Sequence, residues 1–276
     1  MSLSRRATAP ALVLAISVGL SGCYVLDEDE SDGTSSDTGG ADSSDPNAPR
    51  TEEDVDFGIV EVYEVTGSAA LSPVPDAAAA AVWDMFVRVA SRQTVSDSVI
   101  EFRAGDSASS DTLAYVVQQD DPDFWALAAN LAYADDADLL LSTLVHEYAH
   151  IVSLSPDQVD PYVDECDTLL LLEGCALPDS AIFSFSEEFW SGYADAPDAD
   201  NSDDDVAWDF YLAHEDEFVS DYAATNVIED FAESFMVYVL DDPVDGDFPI
   251  AQKLRFFADQ AEFVRMRDRI RAEFGM

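Results

Sequence analysis

The chain has 276 residues, of which 48% are hydrophobic, and it carries a formal net charge of −46. About 220 residues remain once the N-terminal region is set aside, and this hydrophobic fraction is enough to give them a buried core. The strong negative charge repels phosphate groups, so nucleic acid is excluded as an expected partner.

The N-terminus combines basic residues, an apolar run and a cysteine. Arg5 and Arg6 precede an apolar run over residues 9–20, which is too short to span a bilayer. The run ends in Leu-Ser-Gly-Cys at Cys23, which resembles the lipobox of bacterial lipoproteins. The resemblance implies that a signal peptide over residues 1–22 is removed and that Cys23 is lipidated. We therefore expect an extracytoplasmic protein anchored to a bacterial membrane, at the cell surface or the outer membrane, with a secreted protein as the alternative.

Residues 23–54 are predicted to form a lipidated, disordered acidic tether. They are rich in Asp, Glu, Ser, Gly and Thr, so burial cannot offset the entropy lost on ordering. One folded domain is expected over residues 55–276, with an α/β lobe at about 55–155 and a helical lobe at about 156–276.

The folded region begins with predicted strands and one helix. Alternating or apolar patterns of strand type occur at residues 55–66, 98–103, 113–119 and 124–133. After Pro73 and Pro75, residues 76–92 place apolar side chains on one face, which predicts a helix.

An HExxH sequence, His-Glu-Tyr-Ala-His, occupies residues 146–150 and uses two of the three histidines. It lies within a strongly helical pattern over residues 137–154. Because residues four apart share a helix face, His146 and His150 can bind one zinc ion, with Glu147 as a general base. The alternative is a buried helix with two incidental histidines.

Apart from Cys23, the chain contains two cysteines, Cys166 and Cys175. They are nine positions apart in a protein expected outside the cytoplasm, where a disulfide can form and persist. A disulfide between them is therefore predicted, with two free buried thiols as the alternative.

Three further helices are predicted, over residues 181–193, 225–240 and 250–274. The last contains six of the 12 basic residues, which we expect to pair with the acidic body. The acidic segment 195–205 lacks the Gly and the distal Glu of an EF-hand loop in register, so it does not predict a calcium site.

A catalytic zinc site needs a third protein ligand. His214 is the remaining histidine, but Glu229 and Glu233 are four apart on one face of the helix predicted over residues 225–240. Two carboxylates turned toward a core need a cation or hydrogen-bond donors, and zinc with its histidines supplies both.

The segment from Tyr222 to Glu233 reads Tyr-x-x-Thr-Asn-x-x-Glu-x-Phe-Ala-Glu. Together with HExxH, it resembles gluzincin peptidases related to the anthrax lethal factor catalytic domain, and still more the bacterial zinc-binding metallopeptidase lipoproteins. The resemblance covers about residues 135–240. It implies an α+β, zincin-like fold, in which a small mixed or antiparallel sheet packs on the HExxH helix and a mainly helical lobe follows.

The resemblance also implies a role for each matched residue. The ligands of a single Zn²⁺ ion would be His146, His150 and Glu229. Glu147 would be the general base, Tyr222 would donate a hydrogen bond to the oxyanion, and Glu233 would orient a histidine. The separation of His150 and Glu229, 79 positions (229 − 150), is longer than in compact gluzincins, so substrate specificity is not carried over.

The expected function is that of a membrane-anchored zinc metallopeptidase acting on a peptide or protein substrate. The strand predicted at residues 124–133 is a candidate for pairing with an extended substrate. One alternative is a non-catalytic zinc-binding surface lipoprotein, although such a protein has no need of Glu147 as a base. The other is a zinc amidase acting on a cell-wall component, which a fold resemblance does not exclude.

Overall fold

The computed structural model describes residues 57–58, 60–163 and 165–276. The predicted leader, the lipidation site at Cys23 and the tether over residues 23–54 lie outside the described residues. Within the described part of the chain, no helix combines the length and the apolar character needed to cross a bilayer.

A five-stranded mixed sheet forms the first part of the fold. Its strands are β1 (Glu61–Val65), β2 (Leu71–Ser72), β3 (Val99–Gly105), β4 (Ala114–Gln118) and β5 (Trp125–Asn130). Their spatial order is β2-β1-β3-β5-β4, with β3 and β5 parallel and the other pairs antiparallel. Each predicted strand segment overlaps one strand, and the short β2 was not predicted.

The order of the strands corrects the prediction about substrate pairing. Strand β5, which corresponds to the segment predicted at 124–133, lies between β3 and β4, so neither of its edges is open to a further strand. Strand β4 lies at the edge of the sheet and contacts the HExxH helix.

Eight α-helices and a second small sheet complete the described structure. The helices are α1 (Ala77–Ala90), α2 (Arg92–Ser98), α3 (Ala137–Leu154), α4 (Ala181–Phe189), α5 (Asp204–His214), α6 (Val227–Leu240), α7 (Pro249–Ala258) and α8 (Ala261–Phe274). The small sheet has the order β6-β8-β7 and consists of β6 (Val159–Asp160), β7 (Leu170–Leu171) and β8 (Gly174–Ala176). The architecture is therefore mixed α+β.

The single helix predicted over residues 250–274 is wrong, because the chain turns at Asp259 and Gln260 between α7 and α8. In one continuous helix, Phe257 and Phe263 would lie about 120° apart around the axis. The turn instead brings their ring centroids within 5.2 Å, and both rings contact Phe231. Core packing by two aromatic rings therefore outweighs the helical periodicity of the segment.

The arginines of α8 form more hydrogen bonds with backbone carbonyls than with acidic side chains. Arg267 and Arg271 donate to the carbonyl oxygens of Tyr238 and Leu240, at 2.6 and 2.9 Å, where α6 ends. Arg269 donates to two carbonyls at the end of α1. The last carbonyls of a helix lack partners within the helix and carry partial negative charge, which arginine compensates.

The only lysine of the chain, Lys253, is buried in an ion pair with Asp230 of α6. Its Nζ lies 2.6 Å from Asp230 Oδ2, donates to the Glu217 carbonyl at 2.8 Å and lies 3.9 Å from the centroid of the Phe218 ring. Trp190 Nε1 also donates to Asp230. Burial raises the pKa of Asp230, and the Lys253 ammonium acts against that shift. The pair joins α7, α6 and the segment that precedes the 3₁₀ turn at Tyr222.

We expect Lys253→Met to lower the free energy of unfolding by about 3–5 kcal/mol, because the Asp230 carboxylate would be left buried without its counter-ion. Urea denaturation measures the change. Adding Asp230→Asn should recover part of the loss. Arg265→Met, which removes an exposed charge from α8, should change stability by less than about 0.5 kcal/mol. A Lys253→Met protein as stable as the Arg265→Met protein would contradict the role of the pair.

Candidate metal centre

Helix α3 places the two histidines of the HExxH sequence on one buried face. The exposed fractions of His146 and His150 are 0% and 4%, and their Nε2 atoms are 3.0 Å apart. The helix begins at Ala137, where Asp136 Oδ1 accepts a hydrogen bond from the Leu139 N–H, and its bounds agree with the prediction. It packs against α1, β4 and α6, which removes the pair of imidazoles from solvent.

Glu229, in the first turn of α6, completes a group of three donor atoms. Its Oε2 lies 3.1 Å from His146 Nε2 and 3.5 Å from His150 Nε2. Zinc with tetrahedral bonds of about 2.0–2.2 Å requires donor atoms about 3.3 Å apart, close to the three distances in this group. Among the described residues, these three side chains form a group that can hold a metal ion.

The start of α6 fixes the position of Glu229. Asn226 is the N-cap, and its Oδ1 accepts from the N–H groups of Ile228 and Glu229 at 2.9 and 3.0 Å. Its Nδ2 donates to the carbonyl of Asn201, and Asn201 Nδ2 donates in return to the Thr225 carbonyl, both at 3.0 Å. The Thr-Asn pair of the sequence motif therefore anchors the helix that carries the third ligand.

Glu233 lies one turn further along α6 and binds the opposite side of the His146 ring. Its Oε1 is 2.9 Å from His146 Nδ1, so Nδ1 donates to the carboxylate while Nε2 faces the other donor atoms. Ser220 Oγ donates to Glu233 Oε2 at 2.6 Å and accepts from the Ala223 N–H at 3.0 Å. Ser220 was not predicted to be functional, although it lies only two positions before the motif that begins at Tyr222.

Electrostatics make the group attractive to a cation. Burial raises the pKa of Glu229, but the neighbouring His150 and His146 outweigh burial and bring this pKa to about 2. Burial lowers the pKa of His146, yet the carboxylates of Glu229 and Glu233 reverse the effect and raise it well above its ordinary value. The site therefore holds negative charge that favours a positive partner, either a proton or a metal ion.

Glu147 is fully buried beside the two histidines. Burial raises the pKa of its carboxyl group to about 7, with His146 and His150 acting in the opposite direction. The Val116 N–H of strand β4 also acts to lower it, although neither Glu147 oxygen has a partner at hydrogen-bond geometry within the described structure. A buried carboxylate without partners is costly, and it is suited to exchanging a proton with a molecule that enters the site.

Tyr222 lies next to the histidines, whereas His214 does not. The Tyr222 ring belongs to a 3₁₀ turn (Tyr222–Ala224), and its centroid is 5.8 Å from that of His146. His214 lies near two other acidic side chains, with Nδ1 3.4 Å from Glu217 Oε1 and Nε2 3.6 Å from Asp195 Oδ1. The structure thus brings together the residues predicted for the site and leaves the third histidine outside it.

The predicted disulfide between Cys166 and Cys175 is present, with Cα atoms 6.0 Å apart. It closes a loop that contains β7 and ends in β8, and it lies in the segment between His150 and Glu229. The comparisons with family models, with curated proteins and with solved structures found no match for this chain. The functional assignment therefore rests on the residues and on their geometry.

Substituting a residue that only hydrogen-bonds to a metal ligand typically weakens metal binding by roughly 10- to 100-fold. Glu229→Ala should weaken zinc binding by more than this, because it removes one of the three ligands themselves. Zinc content after dialysis and competition with a chromophoric chelator measure the effect. Glu187→Ala, which removes an exposed carboxylate from α4, should bind zinc as the wild type does. Undiminished zinc binding by Glu229→Ala would show that the carboxylate is not a ligand.

Asn226→Ala should cost about 1 kcal/mol of stability through the lost N-cap and should also weaken zinc binding, because the Glu229 N–H loses its acceptor. Asp203→Ala provides a matched control, since Asp203 caps α5 through the N–H groups of Asp205 and Val206. The control should lose similar stability in urea denaturation and keep its zinc affinity. Equal zinc affinity of the two variants would refute the positioning role of Asn226.

Proposed function

We propose that the protein is a zinc-dependent peptidase. The observation that carries the proposal is the convergence of His146, His150 and Glu229, whose donor atoms lie 3.0–3.5 Å apart although they come from two distant segments. Two imidazoles and one carboxylate, with a coordination position left for water, are typical of hydrolytic zinc sites, whereas structural zinc sites use four protein ligands. The donor set therefore supports zinc hydrolysis over a purely structural ion.

Glu147 is the proposed general base. Zinc held by the three ligands would lower the pKa of a bound water to about 7 and polarise the substrate carbonyl. Glu147 would accept the proton of the attacking water and deliver it to the leaving amine. Its burial and its pKa of about 7 suit both steps, because the group can exist in either protonation state near neutral pH.

Tyr222 is the proposed hydrogen-bond donor to the carbonyl oxygen that becomes negative during attack. The centroid of its ring lies 5.8 Å from that of His146, one of the three proposed ligands. A hydroxyl donor held in a buried site stabilises developing charge more strongly than water does. Glu233 and Ser220 support this arrangement by fixing the His146 ring.

Strand β4 is the proposed support for an extended substrate. The hydrogen bonds from Asn130 N to Leu113 O and from Gln119 N to Phe124 O belong to the ladder between β4 and β5. The intervening residues, Ala114, Val116 and Gln118, therefore direct their backbone groups away from β5. Because Val116 lies next to Glu147, a peptide paired with this edge would pass the proposed base.

An extracytoplasmic, lipid-anchored location is part of the same proposal. The leader and lipobox at Cys23 support it at the level of sequence. The disulfide between Cys166 and Cys175 is consistent with an oxidising compartment. The acidic tether would separate the catalytic domain from the membrane surface.

Glu147→Gln should retain zinc and lose hydrolysis, because the amide cannot accept the proton of the attacking water. Leaderless wild-type protein and the variant are incubated with a mixed peptide library, with and without a chelator, and the products are identified by mass spectrometry. We expect cleavage by the wild type alone, abolished by the chelator and restored by added zinc.

The matched control is Glu187→Gln, which makes the same chemical change at an exposed carboxylate of α4 and should still permit cleavage. Cleavage by Glu147→Gln at the wild-type rate would refute the assigned base. A zinc-loaded wild type that cleaves no peptide would favour either of the alternatives, a non-catalytic zinc-binding lipoprotein or an amidase acting on a cell-wall substrate.

A further inference from the structure

The hairpin formed by β7 and β8 carries a carboxylate toward the metal centre. Leu171 pairs with Gly174, so Leu172 and Glu173 form the two-residue turn between the strands. Leu172 is exposed, whereas Oε2 of Glu173 is buried. The carboxylate of Glu173 lies within electrostatic range of His150 and Glu229, so the turn is near the ligand group.

Two polar atoms at this place lack the partners that burial requires. Glu173 Oε2 and His150 Nδ1 are both buried, and neither has a hydrogen-bond partner among the described residues. Burial raises the pKa of Glu173, and the nearby His150 ring lowers it. Glu173 Oε2 is a hydrogen-bond acceptor, and His150 Nδ1 carries the ring proton when Nε2 binds a metal. The carboxylate therefore lacks a donor and the imidazole lacks an acceptor, and each can supply the other.

The two histidines differ in a way that this pairing would resolve. His146 Nδ1 is bound by Glu233 at 2.9 Å, whereas His150 Nδ1 has no such partner. A histidine that ligates a metal almost always donates its other ring proton to a carboxylate, a carbonyl or a water. Glu229 lies on the Nε2 side of His150, at 3.5 Å, and so belongs to the metal side of the ring. Two buried carboxylates that interact with His150, those of Glu147 and Glu173, have oxygens without a partner. Glu147 is the proposed base, so Glu173 is the candidate for Nδ1.

We propose that Glu173 accepts the Nδ1 proton of His150, directly or through one water, when the metal is bound, and that the disulfide-closed hairpin holds it in place. Glu173 is thus a positioning residue, equivalent for His150 to what Glu233 is for His146. The inference rests on the metal centre of the proposed function and does not require that the protein cleaves peptides.

The hairpin is held firmly enough to serve this purpose. Cys175 of β8 is joined to Cys166, and β8 also pairs with β6. Gly174 has φ of +128°, and a side chain there would meet the Asp160 carbonyl oxygen at 2.2 Å. The backbone next to Glu173 therefore packs closely against the strand that follows the HExxH helix.

The first test compares the zinc affinity of wild type, Glu173→Ala and Glu173→Gln by competition with a chromophoric chelator. Loss of the contact in Glu173→Ala should weaken zinc binding about 10- to 100-fold. Glu173→Gln keeps an acceptor oxygen and should recover part of the loss. Glu165→Ala, which removes an exposed acid from the same loop, should bind zinc as the wild type does. Zinc affinity of Glu173→Ala within twofold of the wild type would overturn the proposal, as would a Gln variant no better than Ala.

A spectroscopic measurement separates positioning from general stability. In the cobalt-substituted protein, the visible ligand-field bands of Glu173→Ala should shift, because His150 is no longer held in one orientation, while the thermal unfolding of the metal-free variant stays at the wild-type value. Unchanged bands together with a lower unfolding temperature would mean that Glu173 is merely structural.

The second test concerns the hairpin. Replacing both cysteines, Cys166→Ser with Cys175→Ser, should weaken zinc binding as Glu173→Ala does, and adding Glu173→Ala should have no further effect. Fully additive losses would refute the role of the disulfide. The Glu173 variants keep the disulfide, so they test the contact even where the serine variant folds poorly.

The outcomes distinguish this proposal from the peptidase proposal. Zinc affinity and the cobalt spectrum are measured without substrate. If Glu173→Ala binds zinc weakly but the wild type cleaves no peptide, the positioning role stands and the peptidase proposal fails. If Glu173→Ala binds zinc normally, the positioning role fails whatever the wild type cleaves.

Discussion

Four carboxyl groups and two imidazoles share one buried region between α3, α6 and the β7–β8 hairpin, and their charges constrain the structure around them. The carboxyl groups belong to Glu147, Glu173, Glu229 and Glu233. Removing so many ionisable groups from water is costly unless each has a partner or a cation is present. A divalent ion coordinated by the histidines and Glu229 would meet this requirement and would allow these side chains to be buried together.

The rest of the fold holds the acidic helix α6 in place. Consecutive residues of α6 point in different directions, so Glu229 faces the imidazoles while Asp230 faces Lys253. The N-cap at Asn226 fixes the beginning of the helix, and arginines of α8 bind the carbonyls at its end. A metal site needs its ligands held within a fraction of an ångström, and a helix fixed at both ends and along one side provides such support.

The local elements that carry the site could be predicted because their signals are local. Helix α3 has the predicted bounds, since Asp136 caps it and Pro156 follows it, and α6 begins after Asn226 as the capping rule indicates. Helix α5 was not predicted. The turn between α7 and α8 was also missed, because it depends on contacts of Phe257 and Phe263 with another helix. The position of β4 at the edge of the sheet likewise depends on which strands pair, and the sequence pattern of a single strand does not contain this information.

By itself, the sequence determined the local elements of the candidate site. These are an HExxH helix, a second acidic helix with its cap, and two cysteines at a spacing suited to a disulfide. These follow from helix periodicity and from capping, which involve residues within a few positions of one another. Only the tertiary structure decided that Glu229 meets both imidazoles, that Glu233 binds His146 through the support of Ser220, and that Glu173 lies beside His150. The physical reason is that such contacts join segments far apart in the chain, and the packing of the whole core, not the periodicity of any one segment, sets their distances.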